Sequence, residues 1–88
     1  MKHSLDEDKP LFNQICRQIE DEIIQGRLRE GEQAPSTNQL AAFYRINPAT
    51  VMKGINMLVD DGILFKKRGI GMFVAEGAQR VLIEKRKA

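Results

Sequence analysis

Four cationic side chains stand out for the chemistry that they offer: Lys53, and the run of Lys66, Lys67 and Arg68. The run leads directly into Gly69, so these cations belong to a tight, glycine-containing turn. Lysine and arginine neutralise phosphate groups, and they also donate hydrogen bonds to the base edges of nucleic acids. The chemistry that these residues predict is therefore the binding of a polyanion.

Two helix-start signals lie eleven residues apart, at Ser36 and Asn47. Ser36 can cap a helix while Gln39 reaches back to the Ser36 N–H, which is the reciprocal pattern of a capping box. Asn47 is a favourable N-cap, and Pro48 suits the first helical position because the missing N–H is no loss there. Two short helices joined by a tight turn form a helix-turn-helix, the unit that carries its second helix into a DNA groove.

The second helix of this pair is predicted from Pro48 to about Asp60 and has two distinct faces. Four apolar residues recur at helical spacing and form the face expected in the core, namely Val51, Ile55, Leu58 and Val59. The residues on or at the edges of the opposite face are Ala49, Thr50, Met52, Lys53 and Asn56. The side chains of that second face are the ones that the helix can present to a groove.

The other elements must position this pair. An amphipathic helix is predicted from Leu11 to Gln25, with Glu20 on its polar side and Gly26 at its end. A helix from Thr37 to about Tyr44 buries Leu40, Ala41 and either Phe43 or Tyr44. A hairpin follows from Ile63 to Val74, with its tip at residues 66–71, and a basic helical segment begins after Gly77.

The predicted fold is mainly α with a small β-hairpin: a winged helix-turn-helix, made of a three-helix core plus a wing, and the start of a C-terminal helix. Residues 1–9 have little apolar content and are expected to form a flexible N-terminus. Residues 10–75 form the predicted DNA-binding domain. Residues 76–88 are interpreted as the start of a helical dimerisation tail. The EKRK cluster at residues 84–87 is a phosphate-binding tail or, as we favour, the polar face of that helix.

Composition narrows the class of protein. The 88 residues make one small domain with a net charge of +2, and residues 63–88 hold seven Lys or Arg against two Asp or Glu. We expect this basic third to form one positive face beside the second helix of the pair, with the acidic first helix turned away. One cysteine and the lack of an apolar run near ~20 residues favour a reducing, cytoplasmic setting without a membrane anchor.

The sequence offers no sign of an enzyme, a metal site or a cofactor. No nucleophile–base pair is recognisable, and His3 has no companion ligands. Gly69-x-Gly71 is too short for a nucleotide-binding fingerprint and is interpreted as a wing turn. Cys16 lies on the apolar face of the first helix and is expected to be a small core residue rather than a reactive thiol. Gly54, inside a helix, indicates close packing of two helices.

The order and spacing of short motifs between Pro10 and Val74 resemble those of the DNA-binding domain of GntR-family bacterial transcription regulators. The first helix carries Pro10, Phe12, Gln14 and Ile15, and the turn carries Ile24, Gly26, Leu28 and Gly31. The helix pair carries Pro35, Ser36, Leu40, Ala41, Thr50, Val51 and Leu58. The wing carries Gly62, Ile63, Leu64, Gly69, Gly71, Phe73 and Val74. The Asn-Pro-x-Thr-Val form at residues 47–51 is most similar to the YtrA-type subfamily, whose members have a short helical dimerisation tail.

The resemblance implies a sequence-specific DNA-binding transcription regulator, expected to be a repressor, that binds a palindromic operator as a homodimer. The candidate DNA-binding residues are Ser36, Thr37, Asn38, Asn47, Ala49, Thr50, Lys53, Lys66, Lys67, Arg68 and Gly69. Thr50 contacts a phosphate or only caps its own helix. Asn38, Pro48 and Met52 stand where many members have arginine, so base contacts do not transfer directly. The alternative is a winged helix that binds a protein partner without touching DNA, and no effector is indicated.

Overall fold

The structure is a computed structural model and describes residues 11–87. Outside the described residues lie the predicted flexible terminus at residues 1–9, which includes His3, and also Pro10 and Ala88. Its elements in chain order are α1 (Leu11–Ile24), α2 (Thr37–Tyr44), α3 (Pro48–Asp60), β1 (Leu64–Lys67), β2 (Gly71–Val74) and α4 (Ala78–Lys87). The predicted winged helix-turn-helix is confirmed, and α1 ends one residue earlier than predicted. None of the helices within residues 11–87 has the length and apolar character needed to cross a membrane.

The core forms where α1 packs across α3. Ile15, Ile19 and Ile23 of α1 are buried together with Val51 and Ile55 of α3, as their helical spacing predicts. Gly54 lies at this crossing, where a Cβ built on it would stand 2.8 Å from the Phe12 carbonyl oxygen. The prediction that this glycine serves close helix packing is therefore confirmed.

The helix-turn-helix begins with the predicted capping box. The Ser36 hydroxyl accepts from the Gln39 N–H at 3.0 Å, and the Gln39 side chain accepts from the Ser36 N–H at 2.8 Å. Arg45 ends α2 in a left-handed conformation, with φ 57°. Of the two aromatic candidates for the core, Tyr44 is buried and Phe43 is exposed.

The wing is an antiparallel hairpin whose pairing runs from Leu64 opposite Val74 to Lys67 opposite Gly71. Lys66 and Lys67 therefore belong to β1, and the prediction that both lie in the tip is wrong. The ladder extends further than predicted, with Lys66 opposite Met72 and Lys67 opposite Gly71. The Lys67 ammonium group packs over the Phe73 ring, 4.6 Å from its centre, and this contact between strands favours the longer pairing. Phe65 and Phe73 stack within the ladder, with ring centroids 6.0 Å apart. The turn itself comprises residues 68–70.

Helix α4 packs on the domain through Ala78 and Leu82, both buried. It lies against α1, and this corrects two expectations. Glu20 is only 5 % exposed and pairs with Arg86 at 3.2 Å, so it is not on a solvated polar face. Lys85 and Arg86 face the acids of α1, so the C-terminal third does not contribute all its charge to one positive face beside α3. The reason is that opposite charges on the two packed helices attract across a partly buried contact.

Candidate nucleic-acid interface

The first group of candidate residues lies at the start of α2. Ser36 and Asn38 are exposed and Thr37 is half-buried. Because the first turn of a helix leaves N–H groups without intrahelical acceptors, its positive end can receive a phosphate. The Ser36 hydroxyl accepts from the Gln39 N–H, so one N–H group of this helix end is already used by the cap.

The second group lies on the first turns of α3. The Asn47 side chain accepts from the Ala49 N–H at 2.9 Å, which fixes the start of the helix. Asn47 and Ala49 are exposed, whereas Thr50 is half-buried. These side chains are small, so the backbone of α3 can approach a partner closely.

Lys53 is exposed on α3, and its ammonium group lies over an aromatic ring of α1. The Lys53 Nζ stands 4.1 Å from the centre of the Phe12 ring. A cation at this distance is attracted by the electrons of the ring face, which restricts the lysine to fewer positions without neutralising its charge. The aromatic partner on α1 was not anticipated from the sequence.

The third group is divided between the strand and the turn of the wing. Lys67 lies over the aromatic pair, with its Nζ 4.6 Å from the Phe73 ring centre, and Lys66 is on the other face of the strand because side chains alternate. Arg68 and Gly69 form the turn, closed by a hydrogen bond from the Ile70 N–H to the Lys67 carbonyl oxygen at 3.0 Å. Gly69 takes a φ of 78°, a conformation that favours glycine. All four candidate residues of the wing are exposed.

The charges of α4 are directed elsewhere. The Arg86 guanidinium donates to Asp21 at 2.8 Å and to Glu20 at 3.2 Å, and Lys85 lies 3.4 Å from Glu20. Burial disfavours the charged form of Arg86, but its bonds to Asp21 and Glu20 outweigh that cost and raise its pKa. Of the C-terminal cations, Lys85 and Arg86 are thus paired with α1, whereas those of the wing, together with Arg80 and Lys87, are exposed.

Two residues near the candidate interface, Arg45 and Gln33, are not predicted as functional from the sequence. Arg45 is an exposed cation in the turn of the helix pair, held at positive φ. Gln33 bridges to the wing and donates from its side chain to the Ile70 carbonyl oxygen at 3.0 Å. A lone glutamine in a predicted turn carries no sequence signal for such a contact. Within residues 11–87 no cluster of His, Cys, Asp and Glu could hold a metal ion.

Comparison with known proteins agrees with this geometry. The profile of the bacterial regulatory proteins, gntR family, matches residues 11–74. The HTH-type transcriptional repressor YtrA of Bacillus subtilis (strain 168) is 33 % identical over 75 residues, which are 85 % of this chain and 58 % of that protein. The chain thus spans less than two thirds of that relative's length.

Solved structures show the same fold. A GntR family transcriptional regulator from Listeria monocytogenes superposes with a TM-score of 0.89 at 27 % identity, over 94 % of this chain and 75 % of that one. The DNA-binding domain of AraR, solved in complex with an operator, has a TM-score of 0.73 at 28 % identity, over 85 % of this chain and 94 % of that one. Members of this family are DNA-binding transcription regulators and not enzymes. The chain belongs to the gntR family of bacterial regulatory proteins.

Proposed function

We propose that this chain is a sequence-specific transcription regulator, a repressor, that inserts α3 into the major groove of operator DNA. The observation that carries the proposal is the arrangement of α3: Val51, Ile55 and Leu58 are buried against the domain, while Ala49 and Lys53 are exposed. A helix whose second face is small, polar and cationic fits the geometry by which helix-turn-helix proteins contact base edges.

Each group of candidate residues has a role in this proposal. Lys53 contacts a phosphate or a base edge, and Ala49 can contact a thymine methyl group. Backbone phosphates would be bound at the starts of α2 and α3 by five polar residues, namely Ser36, Thr37, Asn38, Asn47 and Thr50. Arg68 and Gly69 in the wing turn, flanked by Lys66 and Lys67, would approach the adjacent backbone or the minor groove.

We also propose that two copies act together on a palindromic operator, with residues 10–75 as the DNA-binding domain and residues 76–88 as the start of the dimerisation tail. Val81 of α4 is 51 % exposed, and this apolar side chain offers a contact to a second copy. Ile83, 37 % exposed, lies about 160° away around the helix and would not share that contact. Two recognition helices would then lie about 34 Å apart, in successive major grooves. Operator DNA in a bacterium lies in the cytoplasm, so this function also implies a cytoplasmic protein.

Repression is proposed because two relatives carry this role in their names: the HTH-type transcriptional repressor YtrA, and a protein of Escherichia coli (strain K12) named "Probable fructoselysine utilization operon transcriptional repressor". An operator-bound protein represses by occupying DNA that the transcription machinery needs. No effector or cofactor is part of the proposal.

The experiment is a fluorescence anisotropy titration of a duplex recovered by selection from a random-sequence library. We expect Lys53→Ala and Arg68→Ala each to weaken binding. The slope of log K against log salt, which is negative, should become less steep by about 0.9 per lost phosphate contact. Arg29→Ala is the matched control. This exposed arginine follows the C-terminal end of α1, whereas Phe12 and Lys53 lie at its N-terminal end. Wild-type affinity in both test variants would remove this assignment of the DNA face.

The same titration distinguishes the proposed function from the alternative, a winged helix that binds only a protein. Met52 and Met57 are both exposed, at 51 % and 37 %. They are five residues apart and therefore about 140° apart around the helix, so they do not form one apolar patch. If wild-type protein bound no duplex even at low salt, the protein-interaction function would replace the one proposed.

A further inference from the structure

The side chain of Gln33 joins the turn of the wing to the body of the domain. The Gln33 side-chain nitrogen donates to the carbonyl oxygen of Ile70 at 3.0 Å, and the Gln33 backbone forms an isolated bridge with Phe73. Ile70 lies beside Arg68 and Gly69, the two candidate DNA-binding residues of the turn. Gln33 thus connects the segment before α2 with the part of the wing that is furthest from the core.

Gly71 makes room for this contact. A Cβ built on Gly71 would stand 2.6 Å from the Gln33 side-chain nitrogen, and the residue has a φ of 140°. A side chain at position 71 would therefore displace the glutamine as well as strain the backbone. The small residue at position 71 and the long polar side chain at position 33 are therefore complementary in shape.

Backbone hydrogen bonds from residues 32–34 hold the part of the hairpin that is nearer to the core. The Ala34 N–H donates to the Met72 carbonyl oxygen at 2.8 Å, and the Val74 N–H donates to the Glu32 carbonyl oxygen at 2.9 Å. Both bonds end at β2, and neither reaches the turn. A two-stranded hairpin is marginally stable by itself, so the turn depends on contacts beyond its own ladder.

We infer that Gln33 is a positioning residue for DNA binding, which holds the wing turn so that Arg68 meets the DNA backbone in one orientation. The inference rests on the proposed function. Gln33 need not touch DNA: ordering the turn before association removes part of the conformational entropy that binding would otherwise cost. The chemistry required at this position is a hydrogen-bond donor at the end of a side chain of glutamine length.

The test uses Gln33→Met, which keeps the length of the side chain and removes the donor. With the duplex selected for the wild type, we expect binding to weaken about 2- to 10-fold, the range that corresponds to one lost hydrogen bond. Gln25→Met is the matched control, because Gln25 is also exposed and follows α1. The control should bind like the wild type.

A double-mutant cycle separates positioning from general stability. If Gln33 acts through Arg68, Gln33→Met should cost little further affinity in the Arg68→Ala background. Amide hydrogen exchange of the free protein should accelerate at residues 68–71 in Gln33→Met and stay unchanged in the core of α1 and α3. Exchange that rose equally in the core would indicate a merely structural role and overturn the inference.

The outcomes are distinct. If the wild-type protein binds the duplex and Gln33→Met binds it with the same affinity, this inference is overturned and the proposed function stays intact. An equal loss of affinity from Gln33→Met with and without Arg68 would also overturn it. Failure of the wild type to bind any duplex would overturn both.

Discussion

Cys16 of α1 donates its thiol hydrogen to the carbonyl oxygen of Gly54 in α3, at a distance of 2.9 Å. A Cβ at Gly54 would stand 3.5 Å from the Cys16 sulfur and 2.8 Å from the Phe12 carbonyl oxygen. The sulfur could adjust, but the backbone oxygen cannot move without shifting α1. This crossing therefore sets the distance between the helix that is proposed to contact DNA and the helix that supports it.

Gly54→Ala is expected to destabilise the protein. Helix propensity alone would favour alanine by about 1 kcal/mol, but overpacking against a backbone atom costs about 1–3 kcal/mol. We expect a net loss of up to about 2 kcal/mol in the free energy of unfolding, measured by urea denaturation. Asn56→Ala, an exposed site on the same helix, should instead gain a few tenths of a kcal/mol. A Gly54→Ala protein more stable than the wild type would contradict the packing described at this crossing.

The Cys16 thiol should make stability depend on alkaline pH. Burial, aided by the charges of Glu20 and Asp61, raises the pKa of this thiol from 9.0 to about 11. The folded state holds the proton more tightly than the unfolded state, so the stabilisation is fully present below pH 9 and is lost as the pH rises through 11. Two pKa units correspond to about 3 kcal/mol.

The measurement for Cys16 is urea denaturation across this pH range for the wild type and for Cys16→Ala. All the other titratable groups are present in both proteins, so the difference between the two stability curves reports on the thiol. The stability advantage of the wild type should shrink between pH 9 and pH 11. Parallel curves would show that the thiol does not titrate differently on folding.

Arg86 should be needed to hold α4 on α1. Its removal leaves the carboxylate of Glu20, only 5 % exposed, with Lys85 as its other cation at 3.4 Å. We expect Arg86→Met to lower the free energy of unfolding by about 1–3 kcal/mol, because a buried charge loses a hydrogen-bond donor. Adding Glu20→Gln should recover part of the loss, since the uncompensated charge disappears. Thermal denaturation of the three variants tests this, and a double variant less stable than Arg86→Met would argue against it.

Arg45 is expected to limit stability through its backbone. A left-handed conformation costs about 1–2 kcal/mol for a residue with a Cβ, and glycine avoids that cost while losing more chain entropy on folding. We expect Arg45→Gly to raise the free energy of unfolding by about 0.5–1 kcal/mol. Arg45→Ala keeps the Cβ and should bring no such gain. Equal stability of the two variants would mean that the backbone at residue 45 is not the cause.

Local signals in the sequence were sufficient for the elements and their order. The capping box at Ser36, the Asn47-Pro48 start and the apolar spacing of α3 each act within a few residues, so the bounds of α2 and α3 were predicted as the structure has them. The same spacing placed Ala49 and Lys53 opposite the core. The motifs of the wing predicted a hairpin but not the full length of its ladder, because the pairing of Lys67 with Gly71 and its packing over the Phe73 ring are contacts between strands.

The amino-acid sequence alone thus determined the fold class, the family resemblance and the face of α3 that is free of the core, since all of these depend on neighbours along the chain. Tertiary structure decided which charges remain available. Glu20 was expected on a solvated face, yet it is buried beneath Arg86, which follows it by 66 residues. Lys53 contacts Phe12, and Gln33 contacts Ile70, which follows it by 37 residues. Such contacts depend on how helices and strands pack, and no periodicity within one element encodes them.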